Sequence, residues 1–130
     1  MKILVGLGPG DDPDRVIEQA VKHARHFNGK VYLLTSLGGG RGTTEKEVEQ
    51  ADNRLKHAKG IFQKADISCE THLLIKGNPP EIDLLEFAEE KGVDEIIVGA
   101  RKRSPVGKAL LGSVTQNVSL GANCPVVLVK

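Results

Sequence analysis

Four basic side chains lie close together in the C-terminal third of the chain: Arg101, Lys102, Arg103 and Lys108. The segment begins with Gly99, after an apolar run at 96–98 that predicts a strand, and it ends with Gly112 and Ser113, where a helix is expected to start. Glycine lets a ligand approach the backbone, and the free N–H groups of a helix N-terminus attract anions. This pattern predicts a phosphate-binding loop.

The distribution of charge over the chain supports the same interpretation. After residue 95 there is no Asp or Glu, but there are five Lys or Arg. The first 95 residues hold the other 13 basic residues and all 17 acidic ones, so their net charge is −4 in a protein of net charge +1. The positive charge is therefore concentrated around one glycine-flanked loop. The alternative is that Arg101–Arg103 is a solvated charge run without a ligand.

Two better-known phosphate motifs are only partly matched. The segment 6–11 resembles G-x-G-x-x-G, but Asp11 stands at the last position, Pro9 lacks an N–H, and no acidic residue ends the second strand. The G-x-x-x-x-G-K-[ST] motif fails because Lys102 and Ala109 occupy its first and last positions. A nicotinamide, flavin or P-loop site is therefore not predicted, and Gly38–Gly42 is interpreted as a plain loop.

No catalytic or metal constellation is predicted. Cys69 and His72 have a metal-like spacing, but residues three apart on a strand point to opposite faces. His23 and His26 are expected on the solvated side of a helix, and Ser104 has no identifiable base. The acidic residues of the third helix, Glu86, Glu89 and Glu90, are also expected to be solvated. No efficient catalysis is expected.

Length and composition favour a single domain, 1–130, that buries its own core. The fractions of hydrophobic (39%) and charged (27%) residues are typical of soluble proteins, and no apolar run approaches the length of a membrane span. The near-neutral charge and scarcity of aromatic residues argue against a nucleic-acid partner. The absence of a signal-peptide pattern, with two cysteines in no disulfide or zinc pattern, leads us to expect a cytoplasmic protein.

Strand and helix patterns alternate along the chain. Strands are predicted at 2–7, 30–37, 67–76, 94–99 and 126–129. Helices are predicted from Pro13, capped by Asp12, to Phe27; from a Thr44–Glu47 capping box to about residue 64; from Pro80 to Gly92; and from a Ser113–Gln116 capping box. The expected inward residues of the third helix are Ile82, Leu85 and Ala88, and those of the fourth are Val114 and Val118.

This order predicts an α/β protein: a doubly wound, Rossmann-like fold with a five-stranded parallel sheet and about four helices. Ligands of such folds bind beyond the carboxyl ends of the strands, where the strand order reverses. The loops Gly6–Gly10 and Gly99–Gly112 are expected to flank one crevice there.

The chain resembles the universal stress protein family over nearly its whole length. The similarity is carried by five segments: Ile3–Val5, Gly77-Asn78-Pro79, Val93–Gly99, Leu111–Val114 and Cys124–Val129. The resemblance implies a homodimer that forms through the last strand, Val126–Val129. It also implies ATP binding through the motif G-x2-G-x9-G-[ST], which Gly99, Gly112 and Ser113 match.

Two positions depart from the family pattern. Lys102 replaces the second glycine of the motif, and Gly8 replaces an aspartate that contacts the nucleotide in many members. Loss of the aspartate weakens the expected ATP binding. Lys102 could hold phosphate through its side chain or fill the pocket instead.

The first hypothesis is a cytoplasmic, homodimeric stress-response protein that binds ATP, ADP or AMP, with Mg²⁺ only if the ligand is ATP. The alternatives are an interaction module without nucleotide and a slow ATPase. The expected nucleotide-binding residues are Gly6, Leu7, Gly8, Val98, Gly99, Arg101, Lys102, Arg103, Gly112, Ser113 and Val114.

Overall fold

The computed structural model of the protein describes residues 1–8, 13–38, 42–100 and 111–130. The strands are β1 (Lys2–Gly6), β2 (Lys30–Ser36), β3 (Cys69–Leu74), β4 (Glu95–Gly99) and β5 (Val126–Val129). The helices are α1 (Pro13–Phe27), α2 (Glu45–Lys64), α3 (Pro80–Lys91) and α4 (Ser113–Gly121). The predicted fold class is confirmed, with β3 shorter at both ends than its apolar pattern indicated.

All five strands are parallel, in the order β3-β2-β1-β4-β5. The chain builds outward from β1 through β2 to β3, and then returns to place β4 and β5 on the other side of β1. The direction of winding therefore reverses between β1 and β4. At such a reversal the connections leave toward opposite faces of the sheet, which opens a crevice at the carboxyl ends of the two strands.

Helices cover the sheet on both faces. On one face Val5 and Leu33 pack with Phe62 of α2, in a cluster that also holds buried residues of α1. On the other face Leu34 packs with Phe87 of α3, in a cluster that also holds Val118 of α4. The central strands are buried on both sides, which is why they form nearly continuous apolar runs in the sequence.

The inward face of α3 differs from the prediction. Ile82 is 40% exposed, and the buried residues are Asp83, Leu84 and Phe87. Of the predicted set, Ala88 packs partly buried against the core. The helix is rotated because Asp83 makes hydrogen bonds beneath it and because the ring of Phe87 packs against Tyr32 and His72. Apolar residues lie on several sides of this helix, so periodicity alone did not identify the buried side.

Two smaller predictions are also wrong. The N-cap of α4 is Gly112, with no side-chain hydrogen bond, so the Ser113–Gln116 capping box does not form. His23 is not freely solvated, since its Nδ1 lies 2.6 Å from Oε1 of the buried Glu95.

Several local predictions are confirmed. Thr44 caps α2, with its hydroxyl accepting a hydrogen bond from the backbone N–H of Glu47. Cys69 and His72 serve opposite faces of the sheet, as strand geometry requires. The predicted Asp12 cap and most of the Gly38–Gly42 loop lie outside the described residues.

Replacement of Gly60 by alanine is expected to stabilise the protein. Gly60 lies in the interior of α2, and a methyl group there would meet no atom within 4 Å. Because alanine favours the helix over glycine, Gly60→Ala should raise the free energy of unfolding by about 1 kcal/mol. Urea denaturation followed by circular dichroism measures the change.

The matched control is Gly92→Ala at the C-cap of α3. This position also has open space around it, but its φ is +61°, which is unfavourable for a residue with a Cβ. Gly92→Ala should lower the free energy of unfolding by about 1 kcal/mol. Shifts of the same sign for both variants would contradict the explanation.

Candidate functional site

A cleft of about 230 Å³ lies at the carboxyl ends of β1 and β4, where the winding of the sheet reverses. It is bounded by the ends of β1, β2 and β4 and by the first turns of α3 and α4. The residues that line it are Gly6, Leu7, Gly8, Leu34, Ser36, Pro80, Leu84, Val98, Gly99, Gly112, Ser113, Val114 and Thr115. None of these side chains carries a charge, so the described walls are apolar with a few polar groups.

Gly6 allows α3 to pack closely against the end of β1. A Cβ at this position would lie 3.1 Å from Cδ2 of Leu84 and 3.2 Å from Cγ1 of Val98. Both contacts are tighter than ordinary van der Waals packing, so a side chain would push α3 away from the strand. The absence of a side chain at Gly6 therefore shapes one wall of the cleft.

The N-terminus of α4 forms another wall. Gly112 adopts an extended conformation (φ −65°, ψ 157°) and accepts the first intrahelical hydrogen bond, from the N–H of Gln116, at 3.0 Å. The N–H groups of the first helical turn have no partner inside the helix, and the helix dipole places partial positive charge there. The Thr115 hydroxyl donates to the carbonyl oxygen of Gly99 at 3.0 Å, which ties this helix start to the end of β4.

A buried polar group lies at the opposite side of the cleft. The Ser36 hydroxyl, at the end of β2, donates to Oδ2 of Asp83 at 2.6 Å. The other carboxyl oxygen of Asp83 accepts from Nδ2 of Asn78 at 3.2 Å. Asp83 is only 1% exposed, so these hydrogen bonds offset the cost of burying its carboxyl group.

A second groove, of about 420 Å³, lies on the side of the sheet where the amino ends of the strands are. It is formed by the C-terminal ends of α3 and α4 and includes Glu86 and Glu89. Helix C-termini present carbonyl oxygens and partial negative charge, and the two carboxylates add to it. An anionic ligand is therefore favoured in the first cleft and disfavoured in the second.

The sequence profile of the universal stress protein family matches residues 1–130. The chain belongs to this family. A universal stress protein of Archaeoglobus fulgidus has the same fold, with a TM-score of 0.91 and 38% identity over all of this chain and 98% of that one.

Two related structures contain a nucleotide. An Archaeoglobus fulgidus universal stress protein in complex with dAMP is 34% identical, with a TM-score of 0.84, over 100% of this chain and 98% of its own. A universal stress protein in complex with cAMP is 25% identical, with a TM-score of 0.74, over 99% and 94% of the two chains. Nucleotide binding is thus established among structural neighbours in the family.

The cleft of this family member brings together most of the residues that the sequence singled out. Eight of them line it: Gly6, Leu7, Gly8, Val98, Gly99, Gly112, Ser113 and Val114. The basic residues Arg101, Lys102, Arg103 and Lys108 lie outside the described part of the chain. The positive potential of the described walls therefore comes from the backbone of α4.

Five lining residues were not anticipated: Leu34, Ser36, Pro80, Leu84 and Thr115. The family motif contains none of them. A usable signal existed for Ser36, because it is a polar residue at the carboxyl end of a predicted strand next to the switch point. Leu84 was missed because the inward face of α3 was assigned incorrectly.

The described residues contain no group of three or more His, Cys, Asp or Glu side chains that could hold a metal ion. Within the same ranges, none of the helices combines the length and apolar character needed to cross a membrane.

Gly6→Ala should destabilise the protein by about 1–3 kcal/mol, because the new methyl group overpacks the contact with Leu84 and Val98. Chemical denaturation measures the loss. The control is Gly38→Ala, just beyond β2, where a methyl group meets nothing within 4 Å. This control should change the free energy of unfolding by less than about 0.5 kcal/mol. Equal effects of both substitutions would show that close packing at Gly6 is unimportant.

Proposed function

We propose that this universal stress protein binds an adenine nucleotide in the cleft between β1 and β4. The proposal depends on one observation: the same cleft contains an apolar wall, at Leu34 and Leu84, and the N-terminus of α4. An aromatic base suits the apolar wall, and a phosphate suits the free N–H groups. The related complexes with dAMP and cAMP support this ligand class.

In the proposed orientation the phosphate lies against Gly99, Gly112, Ser113 and Val114. The base lies near Gly6, Leu7 and Gly8, and the positive charge of Arg101–Arg103 and Lys108 favours the phosphate. The ligands of the two neighbours are monophosphates. We therefore propose AMP as the first ligand to test, with ATP and Mg²⁺–ATP as further arms.

We propose a binding protein rather than an efficient enzyme. Among the described residues that line the cleft there is no histidine, cysteine or carboxylate to act as a general base or nucleophile. Away from the cleft, burial raises the pKa of the Cys69 thiol to about 11, so this thiol is protonated near neutral pH. A slow ATPase would instead release ADP and phosphate during incubation with Mg²⁺–ATP.

The second candidate is an interaction module of the same fold that holds no nucleotide. Gly8 supplies no carboxylate where many relatives place one, and Lys102 replaces a motif glycine. If Lys102 fills the phosphate position, the basic loop would engage an acidic partner instead.

Isothermal titration calorimetry of the purified protein with AMP, ATP and Mg²⁺–ATP tests the proposal. We expect saturable heat with at least AMP. Gly112→Ser should weaken AMP binding about tenfold. The hydroxyl of a serine N-cap accepts a hydrogen bond from the backbone N–H of Thr115, which is then no longer available to the phosphate. The thermal midpoint should stay the same or rise, since serine is a good N-cap.

The matched control is Gly42→Ser, where a side chain also meets open space but lies outside the cleft. It should leave AMP affinity unchanged. Absence of heat with every nucleotide at millimolar concentration would reject nucleotide binding and favour the interaction module. Equal weakening by both serine variants would reject the placement of the phosphate at α4.

We also propose a homodimer that forms through β5. This strand is at one edge of the sheet, and Val126, Val127, Leu128 and Val129 are all half-buried and apolar. An exposed apolar edge strand favours pairing with another strand, and a second copy of the chain offers the same surface. A cytoplasmic location is proposed with it, supported by the free thiols Cys69 and Cys124.

Analytical ultracentrifugation should give the mass of a dimer at micromolar concentration. In a background without native cysteines, Val127→Cys in β5 should form a disulfide-linked dimer under mild oxidation, because a twofold axis through the strand brings the two copies together. Ile75→Cys, an exposed position just beyond the opposite edge strand β3, is the control and should not cross-link. A monomer at these concentrations, or cross-linking through position 75, would contradict the β5 interface.

A further inference from the structure

The hydroxyl of Ser36 is held in one orientation by a hydrogen bond to Asp83. It carries one proton, and that proton is donated to Oδ2 of Asp83 at 2.6 Å. In this bond the hydroxyl is the donor and the carboxyl oxygen of Asp83 is the acceptor. The remaining capacity of the serine oxygen is its lone pairs. Because Ser36 lines the cleft, a ligand there meets an acceptor and not a donor.

Asp83 is held in place independently of any ligand. It is 1% exposed, its second carboxyl oxygen accepts from Asn78, and it lies in the first turn of α3. Burial of a carboxyl group costs free energy, and an apolar residue would pack α3 against the sheet without that cost. This arrangement therefore does more than join the helix to the strand, since it also orients the Ser36 hydroxyl.

The strand order decides which part of a nucleotide would meet Ser36. Ser36 ends β2, whereas the N-terminus of α4 lies beyond the end of β4, with β1 between the two strands. Neighbouring strands are about 4.8 Å apart, so the two ends of the cleft are separated by roughly 10 Å. The Asp83 carboxyl group behind Ser36 also disfavours an anion at that end. A phosphate at α4 therefore leaves the base at Ser36.

We propose that Ser36 is a specificity-determining residue that selects a base with an exocyclic amino group, and that Asp83 is its positioning residue. This inference rests on the proposed function and adds a rule for the choice of base. The 6-amino group of adenine donates to the lone pairs of Ser36. The 6-oxo group of hypoxanthine is itself an acceptor and faces the same lone pairs unfavourably. The cleft is thereby tuned to 6-aminopurine nucleotides.

Calorimetric titration of the full chain with four monophosphates tests the proposal: AMP, IMP, purine riboside 5′-monophosphate and dAMP. The wild-type protein should bind AMP about tenfold more tightly than purine riboside 5′-monophosphate, which has hydrogen in place of the amino group. IMP should bind at least as weakly. dAMP should bind like AMP, because the proposed donor is on the base and not on the ribose.

Asp83→Asn is the decisive variant, because it keeps the shape of the side chain and reverses the hydrogen bond. The new amide NH₂ donates to Ser36, and the amide oxygen still accepts from Asn78. The Ser36 proton is then free to point into the cleft. The ratio of AMP to IMP affinity should fall about tenfold or more, with IMP gaining affinity in absolute terms. A merely structural role of Asp83 would weaken both ligands equally.

Ser36→Ala provides a second readout should Asp83→Asn fold poorly. It should remove the preference for AMP over purine riboside 5′-monophosphate. The matched control is Thr35→Val, because Thr35 precedes Ser36 in β2, is also buried and faces the other side of the sheet. Thr35→Val should leave every affinity ratio unchanged.

The failures of the two proposals are distinguishable. If no monophosphate binds, nucleotide binding itself is rejected, and the rule for base choice with it. If AMP, IMP and purine riboside 5′-monophosphate bind equally, nucleotide binding stands and the role of Ser36 is overturned. If dAMP binds more weakly than AMP while purine riboside 5′-monophosphate binds as tightly, the donor is on the ribose, and the role of Ser36 in base choice is overturned as well. An unchanged AMP-to-IMP ratio in folded Asp83→Asn would remove Asp83 from the explanation.

Discussion

Parallel pairing of β1 with β4 is the constraint on which the candidate site depends. Each of the strands β1 to β4 is followed by a helix that carries the chain back across the sheet, so all five strands run the same way and their carboxyl ends lie on one side. β1 lies between β2, the next strand along the chain, and β4, which the chain forms after it has crossed back over the sheet. Chain connections diverge at this point, and none of the helices in the described ranges covers the carboxyl ends of both strands. The cleft is thus a consequence of winding order rather than of any single residue.

The carboxyl ends and the amino ends of the strands differ in electrostatic character because of the same winding. Helices begin at the carboxyl edge and end at the amino edge, so every helix N-terminus lies on the side of the cleft. At α4 this is accentuated, because its N-cap is a glycine whose missing side chain leaves the first-turn N–H groups open to a ligand. The larger groove at the amino edge has the opposite character, with helix C-termini and carboxylates around it.

Within the cleft, a small number of polar groups give direction to an otherwise apolar surface. Thr115 is committed to the end of β4, and Ser36 is committed to Asp83. Each hydroxyl has given its one proton to a protein acceptor, so what it offers to a ligand is defined before the ligand arrives. Preorganisation of this kind lowers the entropic cost of binding, because the protein groups need not reorient.

Much of this fold was predictable because its signals are local. Buried parallel strands form apolar runs. Thr44 and Glu47 predict the start of α2, and Gly92 ends α3 in the left-handed conformation that glycine favours. Gly99, Gly112 and Ser113 of the candidate site were also recognisable, because their spacing along the chain matches a family pattern.

The sequence by itself determined which segments become strands and helices, since turn residues and apolar periodicity act over a few positions. It did not determine how α3 is rotated, because Ile82, Leu84 and Leu85 offered competing apolar sides and a buried Asp83 contradicts the usual pattern. Only the tertiary structure decided this, by placing Ser36 from a distant strand beside Asp83. Hydrogen bonds between residues far apart in the chain depend on how the elements pack, and local patterns carry no record of them.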